Sequence, residues 1–110
     1  KAMPMYLLGW YPDYIDPDNY TAAFAGTAGS AGMGIFFSDP KWDATLNEAQ
    51  IVTDLAKRTA LYEEIQKMWT EDVMTVPIFQ GSLYLFTQKN VSGVMISPTL
   101  QFNYGPIERK

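Results

Sequence analysis

Three aspartates, Asp13, Asp16 and Asp18, fall close together and are interleaved with Trp10, Tyr11, Tyr14 and Tyr20. Carboxylates among aromatic rings suit several chemistries. One is binding: a carboxylate holds an ammonium group through a charge-assisted hydrogen bond, and flat rings beside it supply apolar walls. A second is glycoside hydrolysis, which needs two carboxyl groups about 5 to 9.5 Å apart. A third is a calcium loop, but the order Asp-x-x-Asp-x-Asp departs from the Asp-x-Asp-x-Asp-Gly order of such loops. A fourth is turn and cap chemistry, which accounts fully for Asp16 and Asp18. It accounts less well for Asp13, which sits between Pro12 and Tyr14, ahead of the cap.

Other patterns carry less. The glycine-rich run 26–34 lacks a Gly-Lys-Ser/Thr ending, and its Gly29-x-x-Gly32-x-Gly34 order reverses the dinucleotide fingerprint, so it reads as a flexible connector. Asn19-Tyr-Thr21 and Asn90-Val-Ser92 match the glycosylation triplet, a pattern common by chance. With no Cys and no His, the chain has no thiol nucleophile, no Ser–His triad and no His–Cys zinc site. A formal charge of −4 with only eight basic residues argues against a phosphate-backbone binder. Hydrophobic residues at 47% and charged residues at 18% give a globular balance rather than a disordered one. No apolar run approaches the roughly 20 residues that span a bilayer. Lys1 to Tyr6 does not read as a signal peptide.

The elements that would position these residues follow from caps and periodicity. The 110 residues allow one small domain or part of a larger one. Residues 2–10 read as a buried strand, with Pro4 removing one ladder donor. Asp16 as N-cap and Pro17 at N1 predict a short helix to about Phe24. Asp39-Pro40 repeats the signal, and Trp42, Leu46 and Ala49 then share a helix face. Thr53 or Asp54 starts a longer helix whose stripe is Leu61, Tyr62, Ile65, Met68 and Trp69, expected as core. Arg58, four residues after Asp54, offers a helix-surface ion pair. Residues 76–80 and 83–88 read as strands of a hairpin turning at Gly81-Ser82, with Phe79, Tyr84 and Phe86 in the core. A third strand is expected over 91–96. The tail 101–110 is undetermined.

Several of these pieces together resemble one family. Gly9-Trp10-Tyr-Pro-Asp13-Tyr-Ile-Asp16-Pro17-Asp-Asn-Tyr20 resembles the Gly-Trp-x-x-Asp-x-x-Asp/Glu-Pro-x-x-Phe/Tyr segment of extracellular solute-binding proteins of the dipeptide/oligopeptide/nickel type. These are the periplasmic or lipid-anchored receptors of ABC importers. Asp39-Pro40-Lys-Trp-Asp43 is similar to the family's Asn-Pro-x-x-Asp, and Asp54-x-x-x-Arg58-x-x-x-Tyr62 matches its Asp-x-x-x-Arg-x-x-x-Tyr helix. Asp72-Val-Met-Thr-Val-Pro77 resembles its Asp-x-x-x-x-Pro, and Val91-Ser-Gly93 its Val-x-Gly. Order and spacing agree over about residues 8–96.

The resemblance implies an α/β fold, the C-terminal portion of a two-lobed periplasmic-binding-protein-like receptor that encloses its ligand between lobes. Residues 1–74 would belong to the second, ligand-binding lobe, and residues 75–110 would cross back to the first. The segment alone would expose large apolar faces and would not fold by itself. Asp13 would pair with a peptide's α-ammonium, with Trp10, Tyr11 and Tyr14 lining the site. Some oligopeptide receptors carry an Arg two residues before the Gly of this motif; Leu7 stands there, which leaves a ligand carboxylate to another part of the receptor. The implied partners are a short peptide, or an oligosaccharide or nickel complex, together with permease subunits and the remainder of the receptor chain. No nucleic acid, cofactor, catalytic residue or metal ligand is implied. The implied location is periplasmic or extracellular, anchored on the outer face of the cytoplasmic membrane. Against this stand a small carboxylate glycosidase using Asp13 with Asp16, and a structural or interaction domain.

Overall fold

The computed structural model describes residues 5–110. In chain order the elements are α1 (Pro17–Ala25), α2 (Thr27–Gly32), α3 (Pro40–Ile51), α4 (Leu55–Asp72), β1 (Val91–Ser92) and β2 (Glu108–Arg109). The chain divides into two compact units: Asp16–Phe79 is one, and the stretches ending at Ile15 and spanning Gln80–Lys110 form the other.

The first unit is helical, and its helix starts follow from capping aspartates. Asp16 Oδ1 accepts the Asp18 N–H at 2.9 Å, Asp39 Oδ1 accepts Lys41 N–H at 2.7 Å, and Asp54 Oδ1 accepts Lys57 N–H at 2.7 Å. Pro17 and Pro40 occupy the first helical positions, where a missing N–H costs nothing. The core is Ala25, Trp42, Leu46, Ala49, Tyr62, Ile65 and Met68, with Phe37, Leu61, Trp69 and Met74 packed against it. Trp42 lies at its centre. Its ring meets Trp69 edge-on at 5.9 Å and Phe37 at 5.8 Å, and its Nε1–H donates to Asp72 Oδ2 at 2.6 Å. That polar tip is satisfied, so the large ring is buried without an orphaned donor.

The run 26–34 is not a flexible connector. Residues 27–32 form α2, packed so closely on α1 that a Cβ at Gly29 would collide with the backbone of Ala22 and Ala23. Small residues here serve close helix approach. Thr27 is held through its N–H and hydroxyl by both carboxylate oxygens of Asp43 in α3, at 2.8 and 2.7 Å.

The second unit departs furthest from expectation. Part of the strand expected at 2–10 lies outside the described residues, and residues 5–10 form no strand. Neither 76–80 nor 83–88 is a strand, and Phe79, Tyr84 and Phe86 are exposed rather than core. A strand persists only where its backbone groups find a neighbouring ladder. The third expected strand shortens to β1, which pairs antiparallel with β2 in the register Val91↔Arg109 and Ser92↔Glu108. Gly93 ends it: its φ is +79°, and a Cβ there would run into the Pro106 carbonyl. Among the described residues the chain is thus mostly helical with little sheet.

Ile65 is fully buried and Ile51 is exposed. Ile65→Ala should cost about 2–5 kcal/mol of stability, and Ile51→Ala less than about 0.5 kcal/mol. Urea unfolding followed by tryptophan fluorescence compares them; equal losses would contradict the core assignment.

Candidate functional site

The four candidate binding residues occupy one stretch, the chain leading into α1. Trp10 is half-buried, Pro12 is buried, and Tyr11, Asp13 and Tyr14 are exposed. Residues 13–16 bend the chain ahead of the helix. In sequence the stretch thus carries an exposed carboxylate between two exposed tyrosines, with Trp10 three residues before it. Residue types of this kind suit a cation with an apolar body, the carboxylate for the charge and the rings for the rest.

Asp16 and Asp18 are occupied differently. Asp16 Oδ1 caps α1 and also accepts a hydrogen bond from Arg58 Nη2 at 2.7 Å. Asp18 Oδ1 accepts from Gln50 Nε2 at 2.6 Å. The Arg58 guanidinium is fixed by further groups. Its Nε–H donates to the Ala49 carbonyl at 3.1 Å, its Nη2 reaches the Tyr62 hydroxyl at 3.3 Å, and its Cζ lies 5.0 Å from the Tyr62 ring centroid. The expected Arg58–Asp54 surface pair is replaced by this arrangement. Asp54 serves instead as the α4 cap.

The electrostatics follow from that geometry. The hydrogen bond from Arg58 is the largest influence on Asp16 and holds its carboxyl below the ordinary aspartate range, with burial opposing. Arg58 is raised in turn by Asp16. Burial pushes the Tyr62 phenol up, with Arg58 opposing. A glycosidase acid must hold its proton near neutral pH, which requires a raised pKa. Asp16 is shifted the other way, so it does not fit as the proton donor of a carboxylate pair. Among the described residues no group of three or more acidic side chains is placed to hold a metal ion. No helix among them is long and apolar enough to cross a membrane.

The sequence signalled the Asp16 cap and left Arg58 misassigned. Asp16 and Arg58 are 42 positions apart, and no local spacing rule joins them. The available hint was that Arg58 and Tyr62 share a helix face at i, i+4.

No family model matches the chain. It is 34% identical over 93 residues to a dipeptide-binding protein of Pseudomonas aeruginosa, covering 84% of the chain and 17% of that relative. It is 30% identical over 94 residues to a probable D,D-dipeptide-binding periplasmic protein of Escherichia coli, covering 84% of the chain and 18% of that relative. A heme-binding protein A of Haemophilus influenzae is 29% identical over 94 residues, again with 84% of the chain and 17% of the relative. The chain thus spans under a fifth of the length of the curated relatives it matches.

Asp16 combines a cap with an ion pair, and substitution separates the two. Asp16→Ala loses both, and the cap alone is worth about 0.5–2 kcal/mol. Asp16→Asn keeps the cap, so its cost at pH 7 should be smaller. The Asp16 pKa is lower folded than unfolded, so the pair's stabilisation is present above the ordinary carboxylate pKa of about 4 and fades as pH falls through the folded value. Denaturation midpoints of wild type and Asp16→Asn should therefore converge as pH falls from 7 toward about 3. A gap independent of pH would contradict the ion pair.

Proposed function

Because this chain belongs, as a segment, to the solute-binding protein family that includes the dipeptide-binding relatives, we propose that it forms part of an extracytoplasmic receptor delivering short peptides to an ABC importer. The observation that carries this reading is the 34% identity to a dipeptide-binding protein over 84% of the chain. The work is binding and release, with no bond made or broken. Two lobes shut on the ligand about a hinge, and the importer's permease subunits read the closed state.

In this reading residues 1–74 belong to the lobe that carries the site, and residues 75–110 cross toward the other lobe, where an α/β sheet takes up the strand-like segments. The receptor stands on the outer side of the cytoplasmic membrane, anchored to it. Asp13 takes the peptide's α-ammonium, and Trp10, Tyr11 and Tyr14 line the pockets beside it. With Leu7 where an Arg would meet the ligand carboxylate, that end of the peptide is held by the remainder of the receptor. The exposure of Tyr11, Asp13 and Tyr14 supports a role facing ligand. An exposed carboxylate is hydrated and strengthens its ion pairs only when water is excluded around it, which lobe closure supplies.

In the full-length receptor, Asp13→Ala should weaken dipeptide binding at least about tenfold, since removing one partner of a desolvated pair leaves the other charge uncompensated. Titration calorimetry measures this, and circular dichroism checks that the fold is kept; unchanged affinity would remove Asp13 from the site. Native mass spectrometry of the purified receptor should show extra masses at peptide values. Extra mass in hexose steps would move the ligand class to sugars and make Asp13 a hydroxyl acceptor.

A further inference from the structure

We propose that the end of α4 is a strained latch, held shut by two tryptophan indoles and opened when the receptor closes on its peptide; the second part rests on the reading of the chain as a receptor segment. Every residue of the latch lies in the helical unit, Asp16–Phe79. Val73, the residue that ends α4, has φ +47° and ψ +43°, in the left-handed region. A β-branched residue is a rare occupant of that region, because its Cβ crowds the following carbonyl. Its side chain is about half exposed, so burial does little to offset the strain. Charge disfavours the same turn. Glu71 and Asp72 stand at the negative end of the helix dipole, and the last turn has no basic residue.

Contacts from the core hold this terminus in place. Trp42 Nε1–H donates to Asp72 Oδ2 at 2.6 Å, Trp69 Nε1–H donates to the Thr75 carbonyl at 3.2 Å, and Met74 packs against the core. The Val73 N–H donates to the Trp69 carbonyl at 3.0 Å, so Trp69 grips the turn on both sides. Its ring is set edge-on to Trp42 at 5.9 Å and to Phe24 at 6.5 Å. Local preference and tertiary grip thus oppose each other over a few residues, which is the makings of a two-state element. Strain stored in one arrangement is recovered by a step that leaves it. Element ends are where the φ and ψ changes of closure are absorbed, and in the reading above the chain crosses between lobes from residue 75 onward. Closure is that step: Val73 leaves the left-handed region and the Thr75 carbonyl leaves the indole.

The test uses the full-length receptor, hydrogen exchange at the amides of residues 70–73, and calorimetric titration with alanyl-phenylalanine. Glycine enters the left-handed region without penalty, so Val73→Gly should slow exchange about fivefold in the absence of dipeptide. Trp69→Phe keeps a ring, removes the N–H and should speed exchange about fivefold. Saturating dipeptide should speed exchange in the wild type. Val73→Gly should weaken dipeptide binding about fivefold, because it favours the shut latch over the state that the peptide selects. Val73→Asn, also tolerated in that region, should follow Val73→Gly if the glycine variant does not fold. Unchanged exchange in Val73→Gly would mean that the turn holds no strain. Unchanged or tighter binding, or exchange slowed by dipeptide, would mean that closure does not open the latch; each of these overturns the inference. A wild-type receptor that binds no dipeptide would sink the peptide reading, and the second part with it, while exchange in the two variants without dipeptide separately decides the first.

Discussion

The helical unit turns on one guanidinium. Arg58 meets a carboxylate that begins α1, a carbonyl that ends α3 and a phenol of α4, its own helix. This half-buried cation finds partners in several directions, and each partner is a fixed point of a different element. Around it the apolar core does the bulk of the stabilising. Helices can slide over an apolar surface with small losses, whereas the hydrogen bonds of a planar fork fail beyond a few tenths of an ångström. Burial thus drives α1, α3 and α4 together, and Arg58 selects one arrangement among the ways they could meet.

Local chemistry made much of this unit readable. Asp16-Pro17 and Asp39-Pro40 state their helix starts through cap and fixed φ, and the Asp54 cap follows the same logic. Trp42, Leu46 and Ala49 on α3, and Tyr62, Ile65 and Met68 on α4, fall on single faces at helical spacing and are buried. The glycine-rich run was misleading because low helix propensity describes an isolated chain. Here Gly29 is selected by the proximity of α1, a tertiary fact with no local signature. The Asp16–Arg58 pair was invisible for the same reason: two charges far apart in sequence join only after the helices pack.

The strand-like segments fail differently. Val76, Ile78, Phe79, Tyr84 and Phe86 are typical strand residues, yet all are exposed and none lies in a strand. Propensity supplies half of a strand; the other half is a neighbour offering donors and acceptors at about 4.8 Å. β1 exists because β2 is present to pair with it. The tail was unreadable in sequence for the matching reason, since β2 has polar residues and is defined wholly by its partner. An exposed apolar stretch of this length is costly in water. The curated relatives are more than five times longer than the matched stretch.

The same dependence on a neighbour governs the candidate site. A carboxylate and an ammonium at 4 Å attract by about 1 kcal/mol in water and by about 4 kcal/mol at the effective dielectric near a protein surface. Asp13 is exposed, so an ion pair made to it in this setting would sit near the first limit and add little affinity on its own. Tyr11 and Tyr14, on either side of it in sequence, present about half their surface to solvent. In the proposed reading, selective capture would need an opposite wall that excludes water and completes the apolar contact. In that reading the stretch from Trp10 to Tyr14 would supply one half of a clamp: its chemistry would define what is gripped, and closure by the rest of the receptor would define how tightly.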